Sequence, residues 1–182
     1  VFFEAAVMTV RTCDLPADAF LRRYVLDGSY TDCYVTEVPG HIPLGQYVEA
    51  FYTTSLFRAE RTILSLAGHS STDADAAEVA GGTSARFAAW RVEDRDEGQL
   101  LMCDVTGRTR SWFKIATVSG DNSTQTYLYF GSGITAVASA NAGRMSIGPV
   151  FKALTRFHKL YSRALLAATR RKIVSTASTV TA

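Results

Sequence analysis

The sequence predicts an α+β domain in which an antiparallel β-meander packs against a long C-terminal helix, and three observations predict it. An apolar repeat at helical spacing runs from Leu44 to Leu66. A series of short alternating strands separated by turn residues runs from Ser84 to Gly131. A second long helical pattern runs from Ile147 to about Lys172. The chain has 182 residues, 47% of them apolar, which suffices for a core of ordinary size. A single domain over residues 1–174 with a flexible Ser/Thr/Ala-rich tail at 175–182 is therefore expected.

The elements follow in order. A β-prone piece covers Ala6–Arg11, and Pro16 precedes a short helix at Ala17–Leu26 that Gly28 ends. Tyr30, Tyr34, Val35 and Val38 mark a strand stopped by Pro39-Gly40. Leu44, Val48, Phe51, Tyr52, Leu56, Ile63 and Leu66 define one amphipathic helix closed by Gly68. Ser71-Thr72-Asp73 supplies oxygen-bearing side chains for a new helix start, and Gly81-Gly82 ends that helix near Ala80. The meander is read as Ser84–Val92, Gln99–Val105, Thr109–Val118 and Thr124–Gly131, with turns at Asp94–Gly98, Thr106-Gly107 and Gly120–Ser123. Ile134–Arg144 reads as a small-residue loop.

Charge is unevenly placed. From Arg144 onward there are eight Lys or Arg and no acid, whereas the rest of the chain carries eleven basic against seventeen acidic residues. The basic end complements the acidic body or meets an anionic partner. Within the last helix, at about 100° per residue, Lys152, Arg156, Lys159, Arg163 and Arg170 share one arc. Phe151, Leu154, Phe157, Tyr161, Ala164, Leu165 and Ala168 spread over the opposite side, which is expected to be the core face.

Strand alternation separates two sheet faces. Phe87, Phe113, Ile115, Leu128 and Phe130 are expected on the core face, and Arg86, Trp90, Arg110, Trp112, Lys114, Tyr127 and Tyr129 on the other. Aromatics interleaved with cations there could stack nucleobases, line a polar pocket, form a homodimer interface or make plain cross-strand contacts. A nucleic-acid partner is the least favoured of these.

Cys13, Cys33 and Cys103 are odd in number and widely spaced, so neither a disulfide framework nor a Cys-x-x-Cys site is expected. Reduced thiols and a cytoplasmic location fit. No apolar run approaches a membrane span, and Glu4 interrupts the opening Val1-Phe2-Phe3 before any signal-peptide core. His41, His69 and His158 lack metal-ligand spacing, and Asp94, Asp96 and Glu97 lack that of a calcium loop. No metal and no cofactor are expected. Gly131-Ser132-Gly133 is read as a strand exit, because no Lys-Ser/Thr follows it as a phosphate loop would require. Asp104 and Arg110 are expected to pair across a hairpin.

The order strand, helices, meander and long helix resembles the helix-grip arrangement of the START and polyketide-cyclase-like superfamily. Locally, Tyr30-Thr31-Asp32-Cys33-Tyr34 and Arg156-Phe157-His158-Lys159 resemble an uncharacterised bacterial family related to it. The resemblance covers roughly residues 30–172 and implies a cavity for a small apolar or amphipathic molecule between sheet and helix. It implies no particular chemistry, since binding proteins and enzymes share the fold. The residues expected to line such a cavity are Phe51, Tyr52, Phe113, Leu128, Phe130, His158 and Tyr161. The alternatives are an enzyme that acts on the ligand through His158 and Tyr161, with His158 as acid or base, and an interaction protein that dimerises through the aromatic and basic sheet face.

Overall fold

A computed structural model describes residues 10–26, 29–120, 123–135 and 149–180; within the last helix, side chains are described for 157–177. In chain order the elements are β1 (Arg11–Thr12), α1 (Arg22–Leu26), β2 (Tyr30–Pro39), α2 (Leu44–Tyr52), α3 (Ser55–Leu66), α4 (Asp73–Gly81), β3 (Arg86–Phe87), β4 (Trp90–Arg95), β5 (Gln99–Asp104), β6 (Thr109–Ser119), β7 (Thr124–Ile134) and α5 (Pro149–Val180). The strands form one sheet in the order β1-β2-β7-β6-β5-β4-β3, every neighbouring pair antiparallel. The helices α2 to α4 and the long α5 close over one face, so the architecture is the expected α+β, helix-grip-like one. The pieces at 6–9 and 136–144 lie outside the described residues.

Local chemistry sets several boundaries. Thr72 and Asp75 satisfy each other's backbone amides at the start of α4, and Gly82 ends it with φ of +82°, a left-handed conformation that glycine adopts without steric cost. The single helix expected from Leu44 to Leu66 is two. The apolar period runs on through Thr53-Thr54, but the Thr54 hydroxyl accepts the Phe57 amide at 3.2 Å and caps a new helix there. The Ser84–Val92 strand is likewise divided, because a tight turn at Ala88-Ala89 with Ala88 at φ of +50° folds Phe87 directly opposite Trp90. That turn reverses the parity, so Trp90 lies on the core face and not on the second face.

The core joins Tyr47, Val48, Phe51 and Tyr52 of α2 to Leu100, Met102, Phe113, Leu128 and Phe130 of the sheet and Leu165, Leu166 and Ile173 of α5. The ring of Phe51 meets Phe113 and Phe130 at centroid distances of 4.9 and 4.8 Å, which adds quadrupole attraction to apolar burial. The expected core face of α5 holds at Ala164 and Leu165, which are buried, and at half-buried Tyr161, but not at Phe157. Ser162, Leu165, Leu166, Thr169 and Ile173 are buried, whereas Phe157 is 67% exposed. The run Ala164-Leu165-Leu166-Ala167-Ala168 is apolar on every side, so its period could not orient the helix. The basic arc is only partly solvated. Lys159 is exposed, but Arg163 donates to Val10 O at 3.2 Å and Arg170 to Glu37 O at 3.0 Å. The side chains of Phe151, Lys152, Leu154 and Arg156 lie outside the described set. The helix also continues to Val180, through most of the segment expected as a tail.

The second sheet face is covered by the chain's own residues 13–26. Leu21, Tyr24 and Ala19 pack on Trp112, Leu101 and Cys33, and Trp112 is fully buried. Gly131 makes the close approach feasible, since a Cβ there would stand 2.9 Å from Asp32 O and 3.0 Å from Leu21 Cδ2 and Trp112 Cε3. The Gly131-Ser132-Gly133 segment lies in the last rungs of the β7 ladder, which ends at Ile134. Trp112 and Arg110 are buried inside one molecule, which removes the centre of this face as the expected homodimer interface.

Candidate functional site

A cavity of about 350 Å³ lies between α2, α3, the core face of the sheet and α5. Its apolar wall is made by Phe51, Tyr52, Phe57, Phe130 and Leu165, with Leu64, Ala89 and Trp90 beside them. Its polar wall is made by Glu60, Asp104, Thr109, Ser111, His158, Tyr161 and Ser162. Of the residues expected to line it, Phe51, Tyr52, Phe130, His158 and Tyr161 do so. Phe113 and Leu128 are fully buried in the core beneath, where Phe113 contacts Tyr47, Phe51 and Tyr52. A larger cleft of about 530 Å³ opens where α2 gives way to α3. Its lysine and one of its arginines are already engaged, Lys172 with Thr53 Oγ1 at 2.5 Å and Arg58 with Asp73.

The two walls arise from one strand pattern. Core-facing positions of β2 run Tyr30, Asp32, Tyr34, Thr36, and those of β7 run Leu128, Phe130, Ser132, so one end of the sheet is apolar and the other polar. At the polar end Asp32 and Ser132 are directly paired, and Ser111 lies opposite Ser132 on β6.

A hydrogen-bonded chain crosses that end. The Ser132 hydroxyl donates to Asp32 Oδ1 at 2.6 Å, and His158 Nε2 lies 2.6 Å from the same hydroxyl. Asp32 also receives the Ser132 amide at 3.1 Å and the hydroxyls of Tyr30 and Tyr34 at 3.2 and 3.3 Å. A carboxylate is the strongest acceptor in the cluster, and a hydroxyl has one proton to give. With that proton directed to Asp32, His158 Nε2 must be the protonated nitrogen and donates to Ser132. In neutral His158 this leaves Nδ1 as the acceptor. Burial, and then the Asp32 charge, push the phenols of Tyr30 and Tyr34 above their ordinary value, so both remain donors.

At the other edge Tyr161 donates to Glu60 and ties α5 to α3. Burial raises the Glu60 carboxyl above its usual range against the opposing effect of that hydrogen bond. Tyr161 is pushed up as well, by burial and then by Glu60, and serves as a donor rather than a base. Two further polar atoms, both of residues that line the cavity, are buried without a partner among the described residues: the Tyr52 hydroxyl and Trp90 Nε1.

Sequence reasoning missed Asp32, Ser132, Glu60 and Trp90. An acid at a core-facing position between two tyrosines was the available signal for Asp32. Nothing local marked the others, since Ser132 meets Asp32 across 100 positions and His158 across 26. The expected Asp104–Arg110 pair does not form either: Asp104 holds the Thr106 hydroxyl and the Arg108 and Thr109 amides of its own turn, while Arg110 pairs with Glu93 at 3.1 Å. Among the described residues no group of three His, Cys, Asp or Glu side chains converges on a metal position, and no helix is long and apolar enough to cross a membrane.

The chain matches no family model, and no curated protein matches it.

Proposed function

We propose that the protein binds a small amphipathic molecule in the cavity between α3, α5 and the sheet. The observation that carries this reading is a cavity with an aromatic wall, two of whose lining residues, Tyr52 and Trp90, each hold a polar atom that is buried without a partner among the described residues. A buried donor without a partner costs about 1–3 kcal/mol, and an acceptor on a bound ligand removes that cost. The volume of about 350 Å³ falls in the range of about 300–1,000 Å³ typical of small-molecule sites. The ligand class follows: an apolar or aromatic body against Phe51, Phe57 and Phe130, and at least one hydrogen-bond acceptor.

A second reading, in which the bound molecule is also chemically changed, is favoured by the Asp32–Ser132–His158 chain, which fixes the tautomer of a cavity-lining imidazole. In this reading His158 exchanges a proton with the ligand, and Tyr161, whose one hydroxyl proton goes to Glu60, faces the ligand as an acceptor.

One experiment addresses both. The protein is purified without denaturation, examined intact by native mass spectrometry, and its ligand released and weighed. Binding predicts a stoichiometric small molecule; a protein that never retains one, and that binds no amphipathic dye saturably, contradicts the proposal. His158→Gln is then purified in the same way. A ligand of different mass in the variant supports the acid–base reading, and an identical ligand removes it.

A further inference from the structure

Cys13 and Cys33 are separated by twenty positions, yet their sulfurs lie 3.1 Å apart. Cys13 extends β1 by one residue. Its amide donates to Cys33 O at 3.1 Å, continuing the Arg11–Val35 and Thr12–Tyr34 register. Residues directly opposite across antiparallel strands have Cα atoms about 4.5–5.5 Å apart, within the span of about 4.4–6.8 Å that a disulfide bridges. Shortening the sulfur contact to a bond of about 2.05 Å needs a shift of about 1 Å. A two-residue edge strand can supply that shift.

The two thiols differ in a way that suits sequential reaction. Cys13 is half-buried and Cys33 is 3% exposed. The Cys33 thiol, by its hydrogen bond, holds Cys13 below its ordinary value, while Cys13 and burial push Cys33 up. Cys13 is therefore the thiol that ionises first and can be reached. Clefts flank the pair on both sides: Arg22, Asp14 and Asp32 line one, and Lys159, Arg163 and Asp32 line the other. Arg163 keeps its Nε buried without a partner among the described residues. In the second cleft two cations outweigh one carboxylate, so that side complements a small anion.

We propose that Cys13 and Cys33 form an oxidisable dithiol site that reacts with small anionic disulfides of the glutathione class. The Cys13 thiolate attacks one sulfur of glutathione disulfide, breaking its S–S bond and releasing one glutathione thiolate. Cys33 then loses its proton to solvent and attacks the Cys13 sulfur of the mixed disulfide, expelling the second glutathione. Two protein thiols become one disulfide, and one glutathione disulfide becomes two glutathione molecules. The product closes residues 13–33 into a loop and fastens the segment that covers Trp112 to β2. The wide spacing of the three cysteines along the chain gave no sign of this pair.

The test incubates the full chain with glutathione disulfide at neutral pH, then unfolds it and titrates its thiols. Reactive thiols should fall from three to one, with the intact mass reduced by two hydrogen atoms and Cys13 joined to Cys33 in the peptide map. Cys33→Ala should stop at the mixed disulfide and retain one glutathione on Cys13, whereas Cys13→Ser should take up none at Cys33. Because Cys33 is buried, the Cys33→Ala protein is first checked for a wild-type circular dichroism spectrum; should it be misfolded, the wild-type peptide map decides alone. Three persisting thiols, or a disulfide that includes Cys103, would overturn the proposal.

Discussion

The two faces of the sheet use the same kinds of residue to opposite ends. On the face covered by residues 13–26, the buried polar side chains Trp112, Gln99, Arg110 and Tyr24 are all matched. Trp112 Nε1 donates to Gln99 Oε1 at 3.0 Å, Lys114 meets Asp18 at 2.6 Å, and Tyr24 and Arg110 both bond Glu93. Gln99 also accepts the Phe20 amide at 3.2 Å and donates to Asp18 O at 3.1 Å, stapling the covering segment to the strand. On the cavity face, Trp90 Nε1 and the Tyr52 hydroxyl have no such match among the described residues. A satisfied face is one that has finished folding. A face that keeps unmet donors beside a cavity is the one on which the proposed ligand would sit.

The two tryptophans make this comparison testable, since they are the only two in the chain. Trp112→Ala should give the largest loss: it removes a fully buried indole, and such changes cost about 3–5 kcal/mol. Denaturant titration checks it. Trp90→Phe should change stability by less than about 1 kcal/mol, because the lost contact is offset by removing an unpaired buried N–H. The same variant should weaken ligand affinity about tenfold, the equivalent of one hydrogen bond of about 1.4 kcal/mol. Comparable stability losses for the two variants would erase the distinction between the faces.

A smaller effect follows from Glu60. Its carboxyl is raised by burial, so the folded state holds the proton more tightly than the unfolded chain. The folded state thus binds more protons between the two values, and stability falls as pH rises through the folded one. Below the unfolded value the stability is fully present. Asp18, Asp73 and Asp104 are held low and act in the opposite sense, losing stability as pH falls. The difference in Tm between wild type and Glu60→Gln should therefore change across the mildly acidic range, with wild type relatively less stable on the neutral side. A flat difference, or one of the opposite sign, would contradict the placement of Glu60 on the cavity wall.

How much of this was legible in the sequence depended on whether the signal was local. The bounds of α4 were readable because Thr72, Asp75 and Gly82 act within one turn of the residues they cap. The strands β2, β5, β6 and β7 were readable because alternation and turn residues agree. The break at Thr53-Thr54 was not, since the apolar period continues across it and only the Thr54 cap decides. Nor was the turn at Ala88-Ala89, where alanine stands in a left-handed position that Gly or Asn would have signalled. That miss placed Trp90 on the wrong face and hid one of the two unmet donors. The orientation of α5 was legible only in part, with Ala164 and Leu165 buried as expected and Phe157 not, because its middle is apolar all round. Helix and strand periods placed Phe51, Tyr52 and Phe130 on the core face, while the cavity itself was implied only by the family resemblance. The Asp32–Ser132–His158 chain and the Cys13–Cys33 contact depend on strand register, which no single segment encodes.

The central claim is that Trp90 waits for an acceptor and Trp112 does not. In a ¹⁵N-labelled sample the two indole N–H groups give two resolvable signals, assigned with Trp90→Phe. On titration with the ligand released from the native protein, or with anilinonaphthalene sulfonate, the Trp90 signal should move to saturation in the direction of stronger hydrogen bonding while the Trp112 signal stays in place. If the Trp90 signal is unmoved while a ligand binds, or if Trp112 is the one that shifts, the cavity is not the site and the account of the two faces is wrong.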